Sequence, residues 1–398
     1  MDTDDLSSGT TRAENFALGS SQPDIKQRWC IAMNLRSVHG AESVSIASTR
    51  ATAEITLTGA HIAPVTFVLG DREVQPYSLP PWQPQDFPDT EPILSHLRGD
   101  FFCMPFGETA AGPIHGEVAN NRWHVDRHGP SSITLSMRAS DLDADIHKTV
   151  SVNDDDAVLY QQVRSNGLQG RWNYGTHPVL DLSALPPGSG RLSTSPLRYC
   201  SVHPTLFSLP ERGETQVLQP GAEFTDLAAV PRMDGSTLDL THYPTEPGHE
   251  DLVMLVNDPE PGDLGWSAMV LDGYVWIALK SVRTLPMTLL WITNGGRTAD
   301  PWQGRHVGRM GIEDVCSYFA IGPEASLDNP LVDRGIATFQ AFDDEHQLDL
   351  RTAHLVAPVG PDFDVVSRVT TARNGTVRID AVSGASVTAS VDWGFVLG

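Results

Sequence analysis

The sequence predicts an all-β protein: a large antiparallel sandwich or barrel with few, short helices. Three observations point there. Most periodic segments alternate apolar and polar residues with period two, as half-buried strands do. The 29 prolines and 34 glycines cut these runs at short intervals, as turns between short strands require. Helical periods are scarce, so the alternating strand and helix of a parallel α/β sheet is missing.

Taken in order, the first 27 residues are rich in Ser, Thr, Asp and Gly and show no period; they read as a disordered acidic tail. "TAEITLTG" sets Ala53, Ile55 and Leu57 on one face. "SSITLSMRAS" does the same with Ile133, Leu135 and Met137. "HKTVSVNDDDAVLYQQVRSNG" reads as two strands joined by a solvated turn at Asp154–Asp156. "SAMVLDGYVWIAL", "MTLLWIT" and "MGIEDVCSYF" are strand-like, and "TVRIDAV" follows the turn signal "RNG" at 373–375. The best helical stretches are "EDLVMLVND" and "LVDRGIATFQAF". With no low-complexity linker, residues 28–398 read as one domain, in which 362–398 form an added hairpin or a last pair of strands.

Bulk composition excludes several classes of function. Lys and Arg number 27 against 50 Asp and Glu, a formal charge of −23. Such a field repels nucleic acid and anionic lipid, so neither is expected as a partner. The opening residues are acidic and lack the apolar run of a secretory signal. "WSAMVLDGYVWIALK" is broken by Asp272 and Lys280 and falls short of a membrane helix. Cys30, Cys103, Cys200 and Cys316 are far apart, with no CxxC pair; free thiols in a reducing cytoplasm are expected. No phosphate loop, nucleophile elbow or zinc spacing occurs, so no cofactor and no metal are expected. Oligomeric state is left open.

Four segments concentrate polar groups among the strands: "HLRGDFFCMPFGE", with Arg98; "GPIHGEVANNRWHV", with His115, Asn120, Asn121 and Arg122; "RWNYGTHPVLDL", with Asn173 and His177; and residues 290–319, with Arg297, Trp302, Arg305 and Glu313. A buried glutamate makes a base near neutral pH and a histidine makes an acid. Acid and base on opposite sides of one pocket can move protons on a small ligand without a cofactor. Tryptophan faces match the C–H faces of sugar rings, while Arg, Asn and His bond hydroxyls. Each residue also has a plainer reading. His177 can be a turn histidine, Glu313 can pair with Arg309 or Arg305, Arg98 can anchor its turn, and Trp302 can plug the sandwich end.

Together these segments resemble the aldose 1-epimerases and hexose-phosphate epimerase-like proteins. "LRGDFFCMPFG" and "GPIHGEVANNRWHV" resemble their arginine-glycine and "HGFARN" segments. "NYGTHPVLDL" resembles "N-x-G-x-H-P-Y-F-x-L". "GRMGIEDVCSYF" stands where their late strand bears a glutamate. The resemblance spans roughly residues 50–345, in matching order. It implies the galactose mutarotase-like β-supersandwich, cytoplasmic sugar metabolism, and exchange of sugar anomers by ring opening. By the same resemblance, His177 is the acid that protonates the ring oxygen and Glu313 the base at the anomeric hydroxyl. His115 and Arg98 hold hydroxyls, Asn173 orients the middle segment, and Trp302 and Arg305 add to the sugar site. The chain departs from the pattern at Glu117, which adds a carboxylate, and at Ala119, where an arginine is replaced and Arg122 is the stand-in. "HPVL" also loses an aromatic wall. These changes leave room for the alternative: a carbohydrate-binding or sensing protein without catalysis.

Overall fold

Alternation decides which sheet faces are covered. In the strand Ser132–Ala139, Ile133, Leu135, Met137 and Ala139 are buried and their neighbours are more open, as a sheet with one covered face requires. The strand Tyr274–Ser281 is buried at every position. There Val275, Ile277 and Leu279 enter one apolar cluster, and Trp276 and Ala278 another. That strand is covered on both faces.

The computed structural model describes residues 35–259, 262–372 and 375–398. The expected acidic tail, Cys30, and Arg373 and Asn374 of the "RNG" turn lie outside the described residues. Residues from 35 onward belong to one unit, Asn34–Gly398. Three antiparallel sheets dominate it, of five, nine and seven strands. The main core lies among them: Val44 and Ile55 come from the first sheet, Leu135 and Trp276 from the second, and Leu290 and Ile312 from the third. This is the all-β sandwich expected, with only short helices.

The seven-stranded sheet carries a second apolar cluster on its other face, built from Leu252, Met254, Leu289, Trp291 and Val315. The outer face of the nine-stranded sheet is closed by the C-terminal residues. Strands Val366–Ala372, Thr376–Ala381 and Ser386–Ser390 form their own three-stranded sheet, followed by the helix Trp393–Leu397. Phe363, Val377, Ile379 and Val396 pack on Val275, Ile277 and Leu355. A hairpin or strand pair is thus too small a reading. The third strand, "SVTAS", buries none of its residues fully and turns only the small Val387 and Ala389 toward the cluster.

Both helical readings are corrected. "EDLVMLVND" lies in the strand His249–Asn257, buried at all nine positions. A strand covered on both faces loses its period of two and imitates a buried helix. "LVDRGIATFQAF" contains only a short helix, Pro330–Asp333. It then turns at Gly335 (φ +70°) into the strand Gln340–Phe342. No helix among the described residues is long and apolar enough to cross a membrane. Cys103, Cys200 and Cys316 are free and buried.

Candidate active site

Strand register brings His177 and Glu313 together. The strand Arg309–Cys316 pairs with Tyr174–Thr176 on one side of a break and with Val179–Asp181 on the other. Gly175 opposes Val315 and Val179 opposes Gly311, so the ladder continued through the break sets His177 opposite Glu313. Ile312 N–H donates to the Pro178 carbonyl within that break, at 2.9 Å. Cross-strand neighbours on one face touch; His177 Nε2 lies 3.3 Å from Glu313 Oε1. Glu313 shares its face with Gly311 and Val315, toward the second cluster. His177 N–H donates to the Phe101 carbonyl (2.9 Å) and to Asp100 Oδ1 (3.0 Å). Its ring stacks on Phe101 at 4.6 Å between centroids, and Phe101 stacks on His61 at 4.2 Å.

The pair is close enough for an ion pair, yet burial opposes charge on both members. It pushes the Glu313 carboxyl well above its ordinary range and the His177 imidazole well below. We therefore read one proton for the pair as a whole, held by either partner, with zero net charge. Glu313 Oε1 and His177 Nδ1 have no hydrogen-bond partner, so both remain available to a ligand. Beside them His115 makes an edge contact with the His177 ring at 5.3 Å. His115 holds a left-handed backbone (φ 64°) at the start of the helix Gly116–Asn120. Its Nδ1 accepts from Gly107 N–H at 3.1 Å, and burial pushes its pKa down to about 3. A neutral imidazole that accepts at Nδ1 carries its proton on Nε2.

These three side chains line an inner cavity of about 100 Å³ together with Phe101, Leu252, Trp291, Arg297 and Trp302. The inner cavity adjoins a vestibule of about 650 Å³. Leu94, Ile114, Phe207, Arg297, Trp302 and Ala320 line both and so form the passage.

No protein-family model matches the sequence, and no curated protein does. Solved structures do resemble the fold. A candidate aldose 1-epimerase from Escherichia coli K12 aligns with TM-score 0.55 and 11% identity, over 80% of this chain and 100% of its own. A candidate mutarotase from Salmonella typhimurium gives 0.52 and 13%, over 82% and 93%. A galactose mutarotase related enzyme from Lactobacillus acidophilus gives 0.50 and 12%, over 80% and 98%. The chain has the galactose mutarotase-like fold.

Within the mutarotase-like sandwich the structure gathers His177, Glu313, His115 and Trp302 at one cavity and puts the other expected site residues elsewhere. Arg98 is fully buried, and its guanidinium donates to the carbonyls of His96, Val38 and His39 at 3.0, 2.8 and 3.2 Å. It anchors its turn and does not line the cavity. Asn173 donates to the Phe106 carbonyl (2.7 Å) and Ser317 Oγ (2.9 Å) and accepts from Phe106 N–H (3.3 Å). It clamps two loops and does not line the cavity. Arg122 is exposed and pairs with Glu42 at 2.6 Å. Arg305 is exposed and donates to the Pro81 carbonyl at 3.1 Å. Glu117 is taken up by Ser140, whose N–H donates to it at 2.7 Å, so it adds no carboxylate to the cavity. His177 and Glu313 are neighbours on one wall, where the sequence reading set them on opposite sides. Trp291 and Phe101 were passed over in the sequence, and Arg297 was noted there without a role in the site. Trp291 was signalled only by strand register, which pairs it with Gly311.

Proposed function

We propose that the chain is an aldose 1-epimerase-like isomerase that interconverts sugar anomers without a cofactor. The observation that carries this reading is the His177–Glu313 cross-strand pair at the wall of a cavity with an open vestibule. A cyclic hemiacetal has two oxygens on one carbon, the ring oxygen and the anomeric hydroxyl. An acid and a base that are neighbours reach both at once, which a pair across a wide pocket does not.

With the pair's proton on His177, Glu313 accepts the anomeric hydroxyl proton as His177 donates to the ring oxygen. The C1–O5 bond breaks and the free aldehyde forms. Glu313 is now a neutral carboxylic acid and His177 a neutral imidazole, the charge state that burial favours. Rotation about C1–C2 presents the other carbonyl face. Ring closure returns each proton, so the cycle balances without exchange with water. His115 Nε2–H is a donor for a sugar oxygen near the pair. The faces of Trp291 and Trp302 suit the ring's C–H bonds.

The test is NMR exchange spectroscopy between α and β anomers over a panel of aldoses. Accelerated exchange is expected, reduced by about 10²-fold or more in His177→Asn and in Glu313→Gln. Full activity in either variant removes that residue from the mechanism. Selective line broadening with no acceleration for any sugar would replace the isomerase with a sugar-binding protein.

A further inference from the structure

The inner cavity offers a polyhydroxylated ring few hydrogen-bonding partners. Its lining is mostly aliphatic and aromatic, and its polar side chains are His115, His177, Glu313 and Arg297. Three of these belong to the acid–base end. Arg297 stands apart, in the passage between cavity and vestibule.

Arg297 is built into place. Its guanidinium carbon lies 5.2, 5.7 and 5.0 Å from the rings of Phe207, Trp291 and Trp302, and its side chain is only 16% exposed. Its acidic neighbours are Glu214 and the buried Glu250, whose carboxyl burial lifts to about 7. Glu214 Oε1 lies 3.4 Å from Nε, without hydrogen-bond geometry. The other Glu214 oxygen accepts from Leu209 N–H at 2.8 Å. Among the described residues no acceptor takes up the two terminal amino groups. Aromatic faces hold a guanidinium by its plane and leave its in-plane N–H fork free. The fork matches a planar carboxylate with two parallel hydrogen bonds.

We propose that Arg297 receives a carboxylate, and that the substrate is an acidic aldose of the hexuronate class. This rests on the isomerase reading of the same cavity. Charge matching selects a carboxylate over a phosphate. The acid–base pair is neutral overall and burial holds His115 neutral, so Arg297 is the inner cavity's one fixed charge. The vestibule adds Arg212, but also Glu91, Glu108 and Glu214. One guanidinium balances a monoanion. A phosphate monoester, with nearly two charges at neutral pH, would be left unbalanced before three glutamates. A carboxylate on C5 projects out of the ring, so it can meet a guanidinium in the passage while the hemiacetal faces the acid–base pair inside.

Anomer exchange is compared on the wild-type chain for D-glucuronate, its amide, D-glucose and glucose 6-phosphate at one ionic strength. The expected result is a kcat/KM for glucuronate about 10- to 100-fold above those of the amide and glucose. In Arg297→Met this preference collapses toward unity, and in Arg297→Lys it recovers in part. Equal rates for glucuronate and its amide, or a faster rate for glucose 6-phosphate, overturn the proposal while leaving the isomerase reading intact. If no sugar is accelerated, the isomerase reading fails and binding decides the carboxylate. Glucuronate bound by wild type more tightly than its amide, with the preference lost in Arg297→Met, keeps Arg297's role. Absent or equal binding removes it. The amide comparison needs no variant to fold.

Discussion

The single proton of the His177–Glu313 pair makes a prediction that neither residue makes alone. A solvated histidine acting as the acid would lose its proton as pH rises through 6.5, and the rate would fall there. Burial lowers the His177 pKa below that value and raises that of Glu313 above 4.5, so the one-proton state persists between the two displaced values. The pH profile of kcat/KM is therefore expected to cross 6.5 without an inflection. An inflection there would show His177 titrating separately, in contact with water. At this scale the sequence was legible in part. Glu313, His177 and His115 were found because their segments resemble a known order of motifs. Arg98 misled because a buried polar side chain that serves backbone carbonyls looks, in sequence, like one that serves a ligand. Both Arg297 and Arg305 were noted, and the site role went to Arg305 because the turn between them has no period to say which arginine faces inward.

Strands explain why the pair sits so close, and they supply a test at a residue without functional groups. Gly311 lies two residues before Glu313 on the same face of its strand. A Cβ there would meet Glu313 Oε1 at 2.5 Å and Trp291 Cβ at 3.0 Å. The glycine thus leaves room for the carboxylate beside the tryptophan. Gly311→Ala is expected to push the carboxylate off the His177 ring and cut anomer exchange at least about tenfold, with about 1–3 kcal/mol lost in stability from overpacking. Activity at the wild-type level, with denaturation unchanged, would mean that the carboxylate's position is not critical. The half-buried strands were readable from alternation. Those covered on both faces were not, and the misread His249–Asn257 is the clearest case: its apolar run has the composition of a buried helix, and only its partners make it a strand. Register was equally hidden, because the opposition of His177 and Glu313 depends on pairing across more than a hundred residues.

Across the whole molecule the striped cores leave many imidazoles without water, and this sets the limit of acid stability. Burial lowers the pKa of His61, His115, His177, His306 and His354. Below 6.5 the unfolded chain takes up protons that these folded sites refuse, so stability falls as pH falls. Glu250, raised to about 7, and Glu313 run the other way: they hold protons when folded that the unfolded chain releases above its ordinary 4.5, so they gain stability as pH falls. These five histidines against the two glutamates contribute a net uptake of up to three protons on unfolding, or about 4 kcal/mol per pH unit; burial also lowers His96 and His203, which act in the same direction. A typical stability of about 5–15 kcal/mol would be consumed within a few pH units. The melting temperature is expected to drop steeply between pH 6.5 and 5 in a buffer series. A flat melting temperature over that interval would mean that the imidazoles are hydrated and charged in the folded chain. Two of the five line the cavity and a third, His61, stacks behind His177 through Phe101, so the dry environment that lets one proton serve both anomers is the same one that acid destroys. The low-pH limb of the rate profile should then coincide with unfolding of the chain and be absent from brief assays that finish before unfolding does.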